Sequence, residues 1–235
     1  MKIQIKRLNN ISIFEVKKTN LLQALIEIKN YQDNSLTFRC GCKSGVCGSC
    51  AVRVNGTEKL ACKTKIEEND FIEAIKNLPI IKDLVVDVSH ETLLIKKTNL
   101  DIEEKSNELI SQEDIKKIDL QSNCILCNIC YSACPIYDVN KEFLGPFALS
   151  RALRYVNDKK LSNKLNILDS IQLNGIWDCI LCSSCTLVCP QNIDSKADIM
   201  QLQNISVQNG YSNPTVNNFD LNFSDDFGGF NPNGF

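Results

Sequence analysis

Histidine is nearly absent: His90 is the only one in 235 residues. That leaves little room for histidine-based catalysis or for zinc held by imidazole. Basic runs are missing too. The 26 basic and 28 acidic side chains are interspersed, so no surface for nucleic acid or anionic lipid is expected. No apolar run approaches the about 20 residues that span a bilayer. The opening Met1-Lys2-Ile3-Gln4-Ile5-Lys6 is broken by charge too early for the apolar core of an export signal. The expectation is a soluble chain that reaches a membrane only through a partner. G-x-G-x-x-G and Walker A patterns are absent, and no nucleophile–base pair stands out. No flavin site, substrate site or catalytic residue is therefore expected on this chain.

Cysteine is plentiful: thirteen residues, in three tight groups. In a secreted chain they would point to disulfides, but grouped thiols without an export signal point to metal or a cluster. The first group is Cys42-x4-Cys47-x2-Cys50, with Cys62 after eleven more residues. This is the plant-type 2Fe–2S spacing, with its fourth ligand further along. Gly41, Gly45 and Gly48 let the chain wrap closely enough for amides to point at sulfur. The bland alternative, four buried thiols, does not account for that spacing.

The other two groups are each Cys-x2-Cys-x2-Cys-x3-Cys-Pro, the bacterial ferredoxin run. In that run the fourth cysteine serves the other cluster. Cys124, Cys127, Cys130 and Cys189 are then the ligands of one 4Fe–4S cluster, and Cys134, Cys179, Cys182 and Cys185 those of a second. Zinc is the competing reading. Three adjacent ligands at this spacing, followed by Cys-Pro, argue against it. Cys40 is left over, either an alternative ligand beside the first site or, more simply, a spectator.

Periodicity supplies the frame. Residues 2–8 and 11–17 alternate as a hairpin, and residues 21–29 have helical spacing behind Asn20 as N-cap. Leu36 to Phe38 reads as a short strand. Asn55-Gly56 favours a type I′ turn between strands 51–54 and 57–61. Phe71 to Ile75 and Leu84 to Val88 read as further strands. Residues 1–100 are thus expected to form a strand-rich domain with one helix, and residues 99–110 suit a linker. Ser111 with Asp114 opens a helix as a capping box, and Pro146 begins another. The two cysteine runs repeat at an offset of 55, which points to a pseudo-symmetric helical domain over 101–205. Residues 206–235 hold five of the ten phenylalanines without periodicity and read as a disordered tail.

Leu22-Gln23-Ala24-Leu25, Leu36-Thr37-Phe38-Arg39, the Cys42–Cys50 loop, Leu60-Ala61-Cys62, Leu78-Pro79-Ile80-Ile81-Lys82-Asp83-Leu84-Val85-Val86-Asp87, Cys124-Ile125-Leu126-Cys127 and Phe143-Leu144-Gly145-Pro146 together resemble the iron–sulfur subunit of succinate dehydrogenase and fumarate reductase, over about residues 20–200. The resemblance implies an α+β chain: an N-terminal β-grasp 2Fe–2S ferredoxin domain, then an all-α helical ferredoxin domain. It also implies electron relay between an FAD-containing succinate/fumarate subunit and a quinone-linked, membrane-associated partner.

Three positions depart from the usual family pattern. A non-cysteine usually stands where this chain has Cys182, giving 3Fe–4S at the third site. The extra cysteine makes 4Fe–4S the expectation here. Two tryptophans of the usual quinone pocket are replaced by Asp138 and Val139, and its histidine by Ile180. Trp177 and Tyr137 are expected to pack rather than line such a pocket. These departures resemble a non-classical branch, whose anchor is a cysteine-rich subunit of the heterodisulfide-reductase type. Peripheral attachment through partners follows, with the cytoplasmic face favoured and co-export to the outer face the alternative. Competing readings are a subunit of a thiol:fumarate reductase or other flavoprotein oxidoreductase, and a stand-alone ferredoxin-like carrier. A cluster-based transcription sensor is remote, because no helix-turn-helix or basic surface is evident.

Overall fold

The computed structural model describes residues 1–98, 100 and 105–214. Strands β1 (Lys2–Lys6) and β2 (Ile11–Glu15) pair antiparallel, and alternation turns Ile3 and Ile5 of β1 fully inward. Helix α1 (Leu21–Tyr31) follows, with the Asn20 side chain accepting from the Gln23 amide as its N-cap. Its Leu21, Leu25 and Ile28 form one buried stripe against the sheet. Burial of each such side chain contributes roughly 1.5–3 kcal/mol.

Strands β3 (Ala51–Val54) and β4 (Thr57–Leu60) form the second hairpin. Asn55 and Gly56 both take positive φ (51° and 81°), the backbone that a type I′ turn demands. Strand β5 (Phe71–Glu73) lies parallel to β1 and antiparallel to β3, giving the order β2-β1-β5-β3-β4. This sheet with α1 across it is the β-grasp arrangement.

Leu36 to Phe38 is not a strand. The Thr37 amide donates to the Asp83 carboxylate at 2.9 Å, and the Lys29 ammonium donates to the Leu36 carbonyl at 2.7 Å. Side chains therefore occupy two of the backbone groups that a ladder would use. Arg7 holds the arrangement by pairing with Asp83 and Asp33.

A separate two-stranded ribbon, β6 (Ile80–Lys82) with β7 (Val85–Val86), leads to α2 (His90–Lys97). Among the described residues, the first hundred thus carry two α-helices and a 3-10 turn at Ala61–Lys63 rather than one helix. Sequence periodicity did not reveal α2 because it has almost no apolar stripe: Leu94 is its one buried residue.

The remaining described elements are helical: α3 (Gln112–Ser122), α4 (Ile129–Ser132), α5 (Pro135–Val139), α6 (Pro146–Val156), α7 (Leu165–Ser170), α8 (Ser184–Val188) and α9 (Ser195–Gln208). The expected capping box opens α3, and Pro146 stands in the first turn of α6. Helix α9 runs past the expected boundary at 205. Ser206 within it is fully buried, and the Tyr211 hydroxyl donates to Asp169 at 2.5 Å. The rest of the expected tail, residues 215–235, lies outside the described residues, as do 99 and 101–104 of the expected linker.

Two apolar cores result, and they interleave. Ala74, Ile75, Leu78, Val86 and Leu94 join the helical core with Tyr131, Phe147, Leu149 and Leu202. In return Ile129 enters the sheet core beside Ile3, Val52 and Leu60.

Candidate cluster-binding site

The first cysteine group lies on the loop before β3, with Cys62 just beyond β4. The amides of Ser44, Val46 and Cys47 all donate to Cys42 Sγ at 3.3–3.4 Å, and the Cys62 amide donates to Cys50 Sγ at 3.5 Å. The loop is tight against its own sulfurs. A Cβ on Gly41 would sit 3.0 Å from Cys47 Sγ. Two of these thiols, Cys42 and Cys50, are driven in opposite directions. The hydroxyl and amide of Ser44 draw Cys42 down to about 5, while burial pushes Cys50 up to about 11. Cys40, Cys42 and Cys47 are exposed, and Cys50 is buried.

The two later groups repeat in conformation as well as in sequence. Leu126 and Leu181 are left-handed (φ 51° and 55°), as are Asn128 and Ser183 (φ 62° and 67°). Each pair is separated by the same offset as the cysteines. Helices α4 and α8 then begin at equivalent residues and pack on each other. Each cysteine run is therefore a left-handed twist, a short helix and an extended fourth cysteine. Neither left-handed leucine could be foreseen from propensity, since Leu disfavours that region.

The thiols of the two runs influence one another across the repeat. Cys124 and Cys127 are raised by burial and by the charge of Cys189 from the other run. Cys179 is raised by burial and by Cys134, which feels Cys182 in turn. Cys185 is raised to about 12 by burial, with Cys179 and Cys134 adding to it. Cys130 feels its own set and also Cys185, so the two sets adjoin. Cys124, Cys127, Cys130, Cys189 and Pro190 line one cavity with Ile125 and Phe147. Among the described residues, no three cysteine, histidine or carboxylate side chains meet closely enough to hold one metal ion. Cys124, Cys127, Cys130 and Cys189 ring a shared space, an arrangement that fits a cluster held by four thiolates. Buried thiols with raised pKa values keep their protons until cationic iron displaces them.

Sequence matches fall on these sites. A 2Fe-2S iron-sulfur cluster binding domain family matches residues 4–92, and a 4Fe-4S dicluster domain family matches residues 121–193. The fumarate reductase iron-sulfur subunit of Escherichia coli O6:H1 is 36% identical over 193 residues, covering 78% of this chain and 79% of that protein. The chain belongs to the succinate dehydrogenase/fumarate reductase iron–sulfur subunit family. It is thus an electron-transfer subunit of an oxidoreductase, with 2Fe–2S and 4Fe–4S cluster domains. The 8-methylmenaquinol:fumarate reductase iron-sulfur subunit of Wolinella succinogenes is 33% identical, covering 83% of this chain and 66% of that one. The mitochondrial succinate dehydrogenase [ubiquinone] iron-sulfur subunit 1 of Oryza sativa is 36% identical, covering 80% and 71%. In fold, this iron–sulfur subunit is similar to a chain of the Sdh1 complex of Mycobacterium smegmatis in the apo form. The TM-score is 0.78 at 22% identity, covering 90% of this chain and 97% of that one.

Sequence reasoning passed over the residues that hold the subunit's cluster loops in shape. Asn128 is buried between two cysteines and bonded by its side chain to Glu91, His90 and Leu126. A signal was present: a polar residue follows the second cysteine of both runs, as Asn128 and Ser183. Among the described residues no helix is long and apolar enough to cross a membrane. The Trp177 indole donates to Gln172 at 2.8 Å, and Tyr137 is buried.

Proposed function

We propose that the subunit holds three clusters: 2Fe–2S through Cys42, Cys47, Cys50 and Cys62, 4Fe–4S through Cys124, Cys127, Cys130 and Cys189, and a second 4Fe–4S through Cys134, Cys179, Cys182 and Cys185. The sorting of thiols across the repeat, Cys189 with the first run and Cys134 with the second, carries this reading. Bound clusters would supply one-electron carriers. The chain's own residues supply thiolates, aimed amides and exclusion of water. At the third site Cys182 adds a fourth sulfur, so the cluster there is a cubane rather than 3Fe–4S.

The flanking partners are an FAD-containing succinate/fumarate subunit and a cysteine-rich, membrane-associated acceptor of the heterodisulfide-reductase type. Cys182 is exposed, and Ile180 and Leu187 beside it are 61% and 82% exposed, an apolar rim that supports a protein partner at this end. Asp138 and Val139 offer no tryptophan to a quinone there. Attachment at the cytoplasmic face is the placement proposed.

Purification with native partners, iron analysis and redox-titrated EPR test this together. The expected result is about ten irons per chain, two cubane signals and a co-purifying flavin subunit. About nine irons with a 3Fe–4S signal in the oxidised state would refute the cubane at the third site. A chain isolated without a flavin subunit would favour a stand-alone carrier. Cys182→Ser is expected to remove about one iron and to leave the other two spectra unchanged.

A further inference from the structure

The sole histidine packs against the first of the two cubane-binding runs. His90 Nδ1 is 3.0 Å from the Tyr137 hydroxyl, and its Nε2 is 2.7 Å from Asn128 Oδ1. The partners set the direction of each bond. Asn128 Nδ2 donates to Glu91 Oε1 and, at 3.2 Å, to the Leu126 carbonyl. A carboxylate and a carbonyl can only accept, so the Asn128 oxygen is the end turned to His90. His90 must meet that oxygen with an N–H, which puts a ring proton on Nε2. Nδ1 pairs with the Tyr137 hydroxyl. A continuous chain results, from Tyr137 through His90 and Asn128 to Glu91. Aromatic rings enclose it: the Tyr131 centroid lies 5.1 Å from His90, edge-on, and 4.7 Å from Tyr137.

The Tyr137 end of this chain carries an amide that faces a thiol. The Tyr137 amide donates to Cys134 Sγ at 3.4 Å. Asn128, the other partner of His90, is the left-handed residue (φ 62°) between Cys127 and α4. Cys127 and Cys134 belong to different clusters in the proposed ligand scheme, on which this inference rests.

We propose that His90 is a positioning residue for the Cys134 cubane site, bracing Tyr137 against Asn128 so that the Tyr137 amide stays aimed at Cys134. Such N–H···S bonds stabilise the reduced, more anionic cluster and raise its potential. One side chain outside the cysteine runs thereby sets the potential of the cluster at Cys134.

The test is redox-titrated EPR on the complex as purified. His90→Phe keeps a ring among Tyr131, Tyr137 and Phe147 but removes both hydrogen bonds. Its expected result is a more negative midpoint at the Cys134 cubane, with the 2Fe–2S midpoint unmoved as internal control. Tyr137→Phe cuts the same brace at its other side and is expected to shift the Cys134 site in the same direction. An unchanged midpoint at the Cys134 cubane in His90→Phe overturns the proposal. If His90→Phe loses its clusters, Tyr137→Phe decides, and an unmoved midpoint at the Cys134 site overturns it. Absence of two cubane signals from the unmutated complex would instead reject the ligand scheme, and the brace with it.

Discussion

Cys42 and Cys50 share one loop, yet their environments drive them in opposite directions. Cys42 is exposed and ringed by donors, foremost the Ser44 hydroxyl, and stands at about 5. Cys50 loses solvation and stands at about 11. In iron-free protein at pH 7, iodoacetamide is therefore expected to label Cys42 well before Cys50, read by peptide mass spectrometry. Labelling of Cys42 should fall as pH drops through about 5, where its thiolate is lost, and Ser44→Ala should move that midpoint upward. Faster labelling of Cys50 would contradict this account. Gly48 raises a second residue-scale case. Its φ is 71°, and an added Cβ would stand 2.7 Å from Cys127 Cβ and 2.9 Å from Cys127 Cα. Gly48→Ala is expected to cost roughly 1–3 kcal/mol in denaturant unfolding. The reason is that it strains the loop and pushes one cluster-binding segment off the other.

Helix α3 depends on its cap more than on its core, for none of its residues is buried. The Ser111 side chain accepts from the Asp114 amide at 3.2 Å, and the Ser111 amide donates back to the Asp114 carboxylate at 3.0 Å. Ser111→Ala is expected to destabilise the chain by about 1 kcal/mol in urea titration. The Ser111 amide, then its hydroxyl, holds Asp114 below the usual carboxylate range. The contribution of Asp114 is therefore full above the unfolded carboxylate pKa and lost as pH falls through the lower folded value. Helix α6 is the opposite case. Its Leu149 and Leu153 are fully buried, and Leu149→Ala should cost about 2–5 kcal/mol in the same titration. Both helices were legible in sequence, one from its cap and the other from its proline. Helix α2 and the irregular Leu36–Phe38 were not. The first buries a single leucine, and the second is held by Asp83, Arg7 and Lys29 from elsewhere in the chain.

At the scale of the molecule, a buried ion network joins the two cluster regions. Arg53 pairs with Glu58 at 3.0 Å and Glu73 at 2.5 Å, and the Ser132 hydroxyl of α4 donates to Glu58 at 2.8 Å. The Lys76 amide donates to the same Ser132 oxygen at 2.7 Å. Glu58→Ala leaves the Ser132 hydroxyl proton and part of Arg53 buried without an acceptor. A loss of roughly 2 kcal/mol is expected, read as a lower midpoint in denaturant. Because Ile129 is built into the sheet core and Ala74 to Leu94 into the helical core, that loss should appear as one cooperative transition rather than two.

The cysteine spacings, the repeat, the hairpin turns and the caps were decided by sequence alone. Each is a local rule, in which a ligand run, an Asn-Gly pair or a Ser-x-x-Asp needs only its near neighbours. Tertiary structure decided the interleaved cores, the Arg53 network and the meeting of His90 with Asn128 and Tyr137. These pairs lie 38 and 47 residues apart, and no local periodicity encodes such contacts. The fold alone brings them into hydrogen-bonding range.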